Sequence, residues 1–101
     1  MKYYYITNPC TGEKKRVWIK RDEFEDGGLY LELWCNEGLH SVVTINLPDY
    51  HLDKNEAFVD TNDNPGLDDW LWRRGIARPT IVYGFSNYCS YPMMRFNMDM
   101  I

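Results

Sequence analysis

The sequence predicts an α+β fold: an antiparallel β-sheet with one main α-helix, at about residues 65–74, packed on one face of the sheet. Two observations predict it. Several segments alternate apolar and polar residues with the period of a strand, whereas one segment between them carries the start and stop signals of a helix. Strands on both sides of a single helix favour an antiparallel sheet covered by that helix. The length of 101 residues, 45% of them hydrophobic, predicts a single domain over residues 1–101.

The N-terminal part of the chain predicts a β-hairpin. Residues 3–7 are β-prone, residues 8–12 have the composition of a turn, and residues 14–20 provide the second strand. Residues 21–28 are charged and end in two glycines, so we interpret them as a loop.

The clearest strand pattern runs over residues 29–36. Its buried face is predicted to consist of Leu29, Leu31, Leu33 and Cys35. Trp18, Tyr30 and Trp34 are expected on the opposite face, either as partly buried packing or as a contact surface. Alternation resumes over residues 39–47, and Pro48 ends that strand because it has no amide hydrogen for the ladder. The remaining predicted elements are strands at residues 57–59, 80–83 and 93–98 and a connection over residues 84–90.

The helix has signals at both ends. Asn64 is predicted as its N-cap, Pro65 as its first residue and Gly75 as the residue that ends it. Acidic side chains near the start and basic side chains near the end complement the helix dipole. The apolar stripe expected to contact the sheet consists of Leu67, Trp70 and Leu71.

Charge is unevenly distributed along the chain. The net charge is −4, and residues 49–72 hold seven acidic side chains but one basic side chain, Lys54. Direct nucleic-acid binding requires a basic face, so this balance argues against it. No apolar run reaches the roughly 18 residues needed to cross a membrane. Three widely spaced cysteines fit a reducing compartment better than a disulfide framework, which predicts a cytoplasmic protein.

The sequence contains no recognisable motif for catalysis, for a cofactor or for a metal ion. Residues 60–65 resemble the start of a calcium loop, but Pro65 and Leu71 stand where such a loop needs glycine and a bidentate glutamate. We therefore interpret this segment as a turn rich in Asp and Asn that caps the helix. The cysteines and histidines lack the paired spacing of zinc ligands. A protein that is not an enzyme is the favoured class.

Candidate partner-binding residues fall into two groups. Trp72 lies off the apolar stripe of the helix, and tryptophan is enriched at binding hot spots, so we expect it to form a contact surface with its acidic neighbours. The aromatics in residues 83–91, including Phe85 and Tyr88, either contact a partner or cover the open side of the sheet. The acidic segment either imitates nucleic-acid charge or is simply solvated. Its candidate residues are Asp49, Asp53, Glu56, Asp60, Asp63, Asp68 and Asp69.

Four segments carry a family resemblance: residues 44–47, 55–62, 75–80 and 89–96. Together they resemble a family of small acidic proteins of unknown function carried by conjugative transposons, plasmids and phages of Gram-positive bacteria. Some relatives are anti-CRISPR proteins against type II-A systems. The resemblance covers about residues 29–101 and includes no active-site motif.

The resemblance implies an anti-CRISPR protein that binds the RNA-guided nuclease of a type II-A system, or its guide-RNA complex, and blocks guide loading, DNA binding or cleavage. Such nucleases hold guide and target in positively charged channels, which suit an acidic partner. One alternative is a mobile-element accessory protein that binds another host or element protein. The third possibility is a small metal-dependent nuclease that uses the Asp-rich segment.

Overall fold

The computed structural model describes residues 2–101, which form two four-stranded antiparallel sheets and one short helix. The class is α+β. In chain order the elements are β1 Tyr4–Thr7, β2 Lys14–Glu23, β3 Leu29–Cys35, β4 Gly38–Val42, β5 Thr44–Ile45, β6 Glu56–Val59, α1 Leu67–Arg73, β7 Ala77–Ser86 and β8 Cys89–Phe96. Sheet 1 has the order β1-β2-β3-β4, and sheet 2 has the order β5-β6-β8-β7. No helix within residues 2–101 has the length and hydrophobicity to cross a membrane.

The presence of two sheets corrects the expectation of one sheet, and Val43 is where the chain passes between them. The Val43 amide donates to the carbonyl of Leu31 in sheet 1 (2.9 Å), whereas its carbonyl accepts from the amide of Asp60, next to β6 (2.9 Å). The predicted continuous strand over residues 39–47 is therefore wrong. The segment is divided into β4 and β5. The sequence does not reveal this division, because the alternation of residues continues unchanged through a strand that switches sheets.

Sheet 1 is a meander of hairpins. Its third strand alternates as predicted, with Leu29, Leu31, Leu33 and Cys35 buried and the residues between them half-buried. The predicted loop over residues 21–28 is wrong in its first half, because β2 continues to Glu23, which pairs with Leu29. A tight turn follows, in which Gly27 adopts a φ of 86° and the Phe24 amide donates to the carbonyl of Gly28 (2.8 Å).

The main core is shared by both sheets and the helix. Sheet 1 contributes residues such as Val17 and Leu33, sheet 2 contributes residues such as Val59 and Phe96, and α1 contributes Leu67 and Leu71. A second, smaller cluster is formed by Leu47, Phe58, Tyr91 and Met93. Alternation along β6 and β8 places this cluster on the other face of sheet 2, so these two strands are buried on both faces, whereas most of β7 is exposed.

The two ends of α1 differ from each other in how well the sequence predicts them. The N-cap is Gly66 in a left-handed conformation, with no side-chain cap, and the helix begins at Leu67, so the predictions of Asn64 as N-cap and Pro65 as first residue are wrong. The Asn64 amide group instead donates to the carbonyls of Val42 and Asp60 (both 3.1 Å), where it ties the loop to sheet 1.

The C-terminal end of α1 is as predicted. Gly75 adopts a φ of 71°, which favours glycine, and its amide donates to the carbonyl of Trp72 (3.0 Å). The Ile76 amide donates to the carbonyl of Leu71 (3.0 Å). These two bonds form a Schellman motif, in which the buried side chains of Ile76 and Leu71 add the usual apolar contact.

The C-terminal strands are longer than predicted. β7 begins at Ala77 and runs to Ser86, and β8 begins at Cys89, so the expected connection over residues 84–90 is wrong. The turn consists of Asn87 and Tyr88, both at positive φ. A two-residue hairpin turn of this kind follows the twist of its strands, so both strands extend up to it.

Candidate protein-binding surface

A groove lies between α1 and β7. Its helix wall consists of Asp68, Asp69 and Trp72, and residues 79–83 form its strand wall. The helix presents these side chains because its apolar positions, Leu67 and Leu71, face the core. The Trp72 side chain is consequently 57% exposed, as its position off the apolar stripe predicted.

The strand wall of the groove is irregular. The pairing of β7 with β8 shifts register between Pro79 and Tyr83. Within this interruption the Thr80 hydroxyl donates to the carbonyl of Met93 (2.9 Å) and accepts from the amide of Val82 (3.2 Å). Ile81 adopts a φ of 58°, and its side chain is 99% exposed. A bulge at the edge of a sheet redirects side chains, and here it turns an apolar side chain into solvent.

Exposed apolar side chains follow one another along β7. The β7 patch consists of Trp72, Ile81, Val82, Tyr83, Phe85 and Tyr88. Tyr91 is buried in the smaller core cluster, so among the aromatics of residues 83–91 it has the covering role. Phe85 is 68% exposed and its amide donates to the Tyr50 hydroxyl (3.0 Å), which satisfies one backbone group at the outer edge of β7.

The two helix carboxylates differ in their contacts. Asp69 accepts from Arg73 Nε at 2.7 Å, one helical turn away, and both side chains are exposed. Asp68 forms no ion pair with any of residues 2–101. An exposed pair of this kind contributes little to stability, so Asp69 can exchange Arg73 for a cation on another molecule, whereas Asp68 is half-buried in the groove wall.

The other predicted acidic residues lie elsewhere. Asp53 lines a different groove together with Glu56, near the turn between β2 and β3. Asp63 lines a third groove, near β1 and β4, and Asp49 is exposed in the loop after β5. The structure therefore brings Asp68 and Asp69 together with Trp72 and separates them from the remaining candidates.

Glu56 is occupied within the protein. It is buried, and one carboxylate oxygen accepts from the Asp53 amide (2.9 Å) while the other accepts from Arg95 Nη2 (3.0 Å). The backbone amide of Asp53, followed by the Arg95 guanidinium, lowers the pKa of this carboxyl below its usual value of 4.5. These bonds indicate a structural role in joining β6 to β8.

The segment that resembles a calcium loop is a turn. Asp60 is half-buried, and its side chain accepts from the amide of Asp63, three residues on (3.1 Å), within a run of turn residues. The prediction of a turn is confirmed. The prediction that this turn caps the helix is wrong, because the N-cap is Gly66 and no side chain caps it. Throughout residues 2–101, no three His, Cys, Asp or Glu side chains are grouped so that they could hold a metal ion.

A family described as a domain of unknown function (DUF4313) matches residues 19–101. The chain belongs to the DUF4313 family. No curated protein and no solved structure matches it. The DUF4313 match includes α1, β7 and all of sheet 2, so the groove and the β7 patch lie within the family domain, whereas β1 and the first half of β2 precede it.

Sequence reasoning missed Ile81 and Val82 in this DUF4313 domain. Residues 80–83 have the composition of an ordinary strand, and a β-branched residue at positive φ is a conformational outlier that no sequence signal announces. The proline at residue 79 is the one available hint, because proline in a sheet is confined to edges and bulges.

Proposed function

We propose that this DUF4313 protein acts by binding another protein through the β7 patch and the carboxylates of Asp68 and Asp69. The observation that supports this is the run of exposed apolar side chains along an edge strand, with Trp72 beside two carboxylates. Contiguous exposed apolar surface commonly marks an interaction site, and Trp and Tyr are the residues most enriched at binding hot spots. The protein performs no chemistry of its own in this proposal.

The partner we propose is the RNA-guided nuclease of a type II-A CRISPR system, and the protein would act in the host cytoplasm as an anti-CRISPR protein of a mobile element. The proposal rests on the sequence resemblance and on charge. A positively charged nuclease channel offers cations to Asp68 and Asp69. The β7 patch supplies the apolar contacts that electrostatic attraction alone does not provide. Binding there would block guide loading, DNA binding or cleavage.

The runner-up is a mobile-element accessory protein that uses the same surface on a different host or element protein. The third alternative, a metal-dependent nuclease, is less favoured by the arrangement. Such a nuclease needs several carboxylates close together around one metal ion. Asp53, Asp63 and the pair of Asp68 and Asp69 instead line three separate grooves. Glu56 is paired with Arg95.

The test is a pull-down of purified type II-A nuclease, with and without guide RNA, by the immobilised protein. We expect Trp72→Ala to weaken capture by about 2 kcal/mol, or roughly 30-fold, as expected for a hot-spot tryptophan. Asp68→Asn combined with Asp69→Asn should slow association and reduce its salt dependence.

The matched control is Trp34→Ala, which removes a tryptophan from sheet 1, away from the groove. Capture of the nuclease without guide RNA should be unchanged in this variant. Nuclease binding that Trp72→Ala leaves intact would reject the β7 patch as the site. The alternative of an accessory protein would be favoured if the protein does not bind the nuclease but captures a different host protein, and if Trp72→Ala abolishes that capture.

A further inference from the structure

The outer face of sheet 1 carries a row of large apolar side chains. Because Val17 and Leu33 face the core, Trp18 and Trp34 face outward, where both are half-buried, and they lie directly opposite each other in the β2–β3 register. Tyr3 extends the row with an edge-to-face contact to Trp18, the two ring centroids being 6.0 Å apart. On the other side, Leu39 of β4 lies opposite Trp34 and is half-exposed. The row thus crosses the whole sheet.

Positive charge flanks this row on both sides. Arg16 precedes Trp18 by two residues on the same face of β2, and its guanidinium lies 4.5 Å from the Tyr3 ring centroid. Lys20 follows Trp18 by two residues, and its Nζ lies 5.3 Å from the Trp34 ring centroid. Lys14 continues the same face toward the start of β2, where it is exposed. Cations therefore border the aromatic row along β2.

The Trp34 ring is held in a fixed orientation. Its Nε1 donates to one oxygen of Glu32 (2.8 Å), and the Tyr30 hydroxyl donates to the other (2.6 Å). The bond to Glu32 raises the pKa of Tyr30 from its usual value of 10 to about 12, because the protonated hydroxyl is the donor in this bond. With both oxygens occupied by these donors, Glu32 orients the Trp34 ring. An aromatic that is held in place before binding loses less side-chain freedom when a ligand arrives.

We propose that the outer face of sheet 1 binds single-stranded nucleic acid. Bases would stack on Trp18 and Trp34, and backbone phosphates would contact Arg16 and Lys20. Aromatic rings beside a cationic strip are the pattern by which such strands are held without sequence preference, since every base has a face that stacks. An acidic protein segment would match the charge but would leave the stacking surface of the tryptophans unused.

This inference departs from the sequence-based expectation of no direct nucleic-acid binding. That expectation used the charge of segments along the sequence, whereas the fold places Lys14, Arg16 and Lys20 on one face, where they outnumber Asp22 and Glu32, and places Asp68 and Asp69 in the groove beside β7. Affinity for phosphates depends on the charge of the contacted face. The inference is independent of the proposed function, because it concerns different residues in a different sheet.

The experiment is a fluorescence anisotropy titration of labelled oligouridylate, about 12 nucleotides long, with the full-length protein at low salt. We expect saturable binding that Trp34→Ala weakens at least fivefold, while Trp34→Phe, which keeps a ring, retains most of the affinity. Arg16→Gln combined with Lys20→Gln should weaken binding and reduce the slope of log affinity against log salt by about 1.4, since two phosphate contacts are lost. Trp72→Ala should bind as the wild type does.

Several results would overturn the proposal. One is the absence of saturable binding at low salt, and another is equal affinity in the Trp34→Ala and Trp72→Ala variants. Binding of a labelled polyglutamate peptide in place of the oligouridylate would assign the face to an acidic protein partner instead. Thermal unfolding checks that each variant is folded. Because Arg16 and Lys20 are exposed, their double variant keeps the test valid even if Trp34→Ala does not fold.

Discussion

The two sheets of this protein face different constraints. Sheet 1 joins strands that are neighbours in sequence, and one of its faces is buried while the side chains of the other are half-buried or exposed. Sheet 2 joins β6 to β8 across the helix and β7, and all four residues of β6 are buried. A sheet that packs on both faces leaves little room for change, whereas an open face leaves its side chains available for binding. We therefore expect substitutions to affect stability more in sheet 2 than on the outer face of sheet 1.

Gly84 provides the strongest test of this difference. A β-carbon at that position would lie 2.6 Å from Leu47 Cδ1 and 2.7 Å from Cε1 of the Phe58 ring, which has no exposed surface. Gly84→Ala should destabilise the protein by about 3 kcal/mol, the upper end of the usual cost of overpacking. A decrease of more than about 10 °C in Tm by calorimetry is the corresponding observation.

The matched control for this substitution is Gly28→Ala at the start of β3. Its β-carbon would lie 3.1 Å from the Asp26 carboxylate, at the end of a flexible side chain, so we expect a change within about 0.5 kcal/mol. Equal destabilisation by the two substitutions would contradict the claim that sheet 2 is packed more tightly than this part of sheet 1.

The ion pair between Glu56 and Arg95 tests the same difference through charge. Arg95→Ala should cost about 1.5 kcal/mol at neutral pH, the lower end for a hydrogen bond to a charged group, because Arg95 is partly exposed. The exposed pair of Arg73 with Asp69 is the comparison, and Arg73→Ala should cost about 0.3–0.5 kcal/mol. Urea denaturation of both variants at neutral pH provides the two free energies of unfolding.

The pH dependence of this pair follows from the lowered pKa of Glu56. A carboxyl whose pKa is lower in the folded state stabilises the protein above its usual value of 4.5, and this contribution is lost as the pH falls through the folded pKa. The difference between wild type and Arg95→Ala should therefore shrink when denaturation is repeated at about pH 3. A difference that is the same at both pH values would show that Arg95 stabilises the fold by packing alone.

The sequence predicts regular parts of the fold well and irregular parts poorly, for physical reasons. The alternation in β3 and the glycine that ends α1 follow from local rules, as does the outward position of Trp72. The sheet switch at Val43 and the burial of Glu56 depend on partners distant in sequence, Leu31 and Arg95. Local pattern therefore predicts the helix wall of the candidate groove, whereas Pro79 is its only hint of the irregular strand wall.

Apart from the control substitutions, the smallest expected effect concerns Ile81 at the edge of sheet 2. A β-branched side chain at a φ of 58° is strained, and because this side chain is fully exposed, no burial compensates for the strain. Asparagine tolerates this conformation, so Ile81→Asn should stabilise the isolated protein by about 0.5–1 kcal/mol in urea denaturation. If Ile81 contacts a partner, the same variant should bind that partner more weakly while being more stable. Greater stability with unchanged binding would exclude Ile81 from the interface and leave Asp68, Asp69 and the rest of the β7 patch as the contact surface.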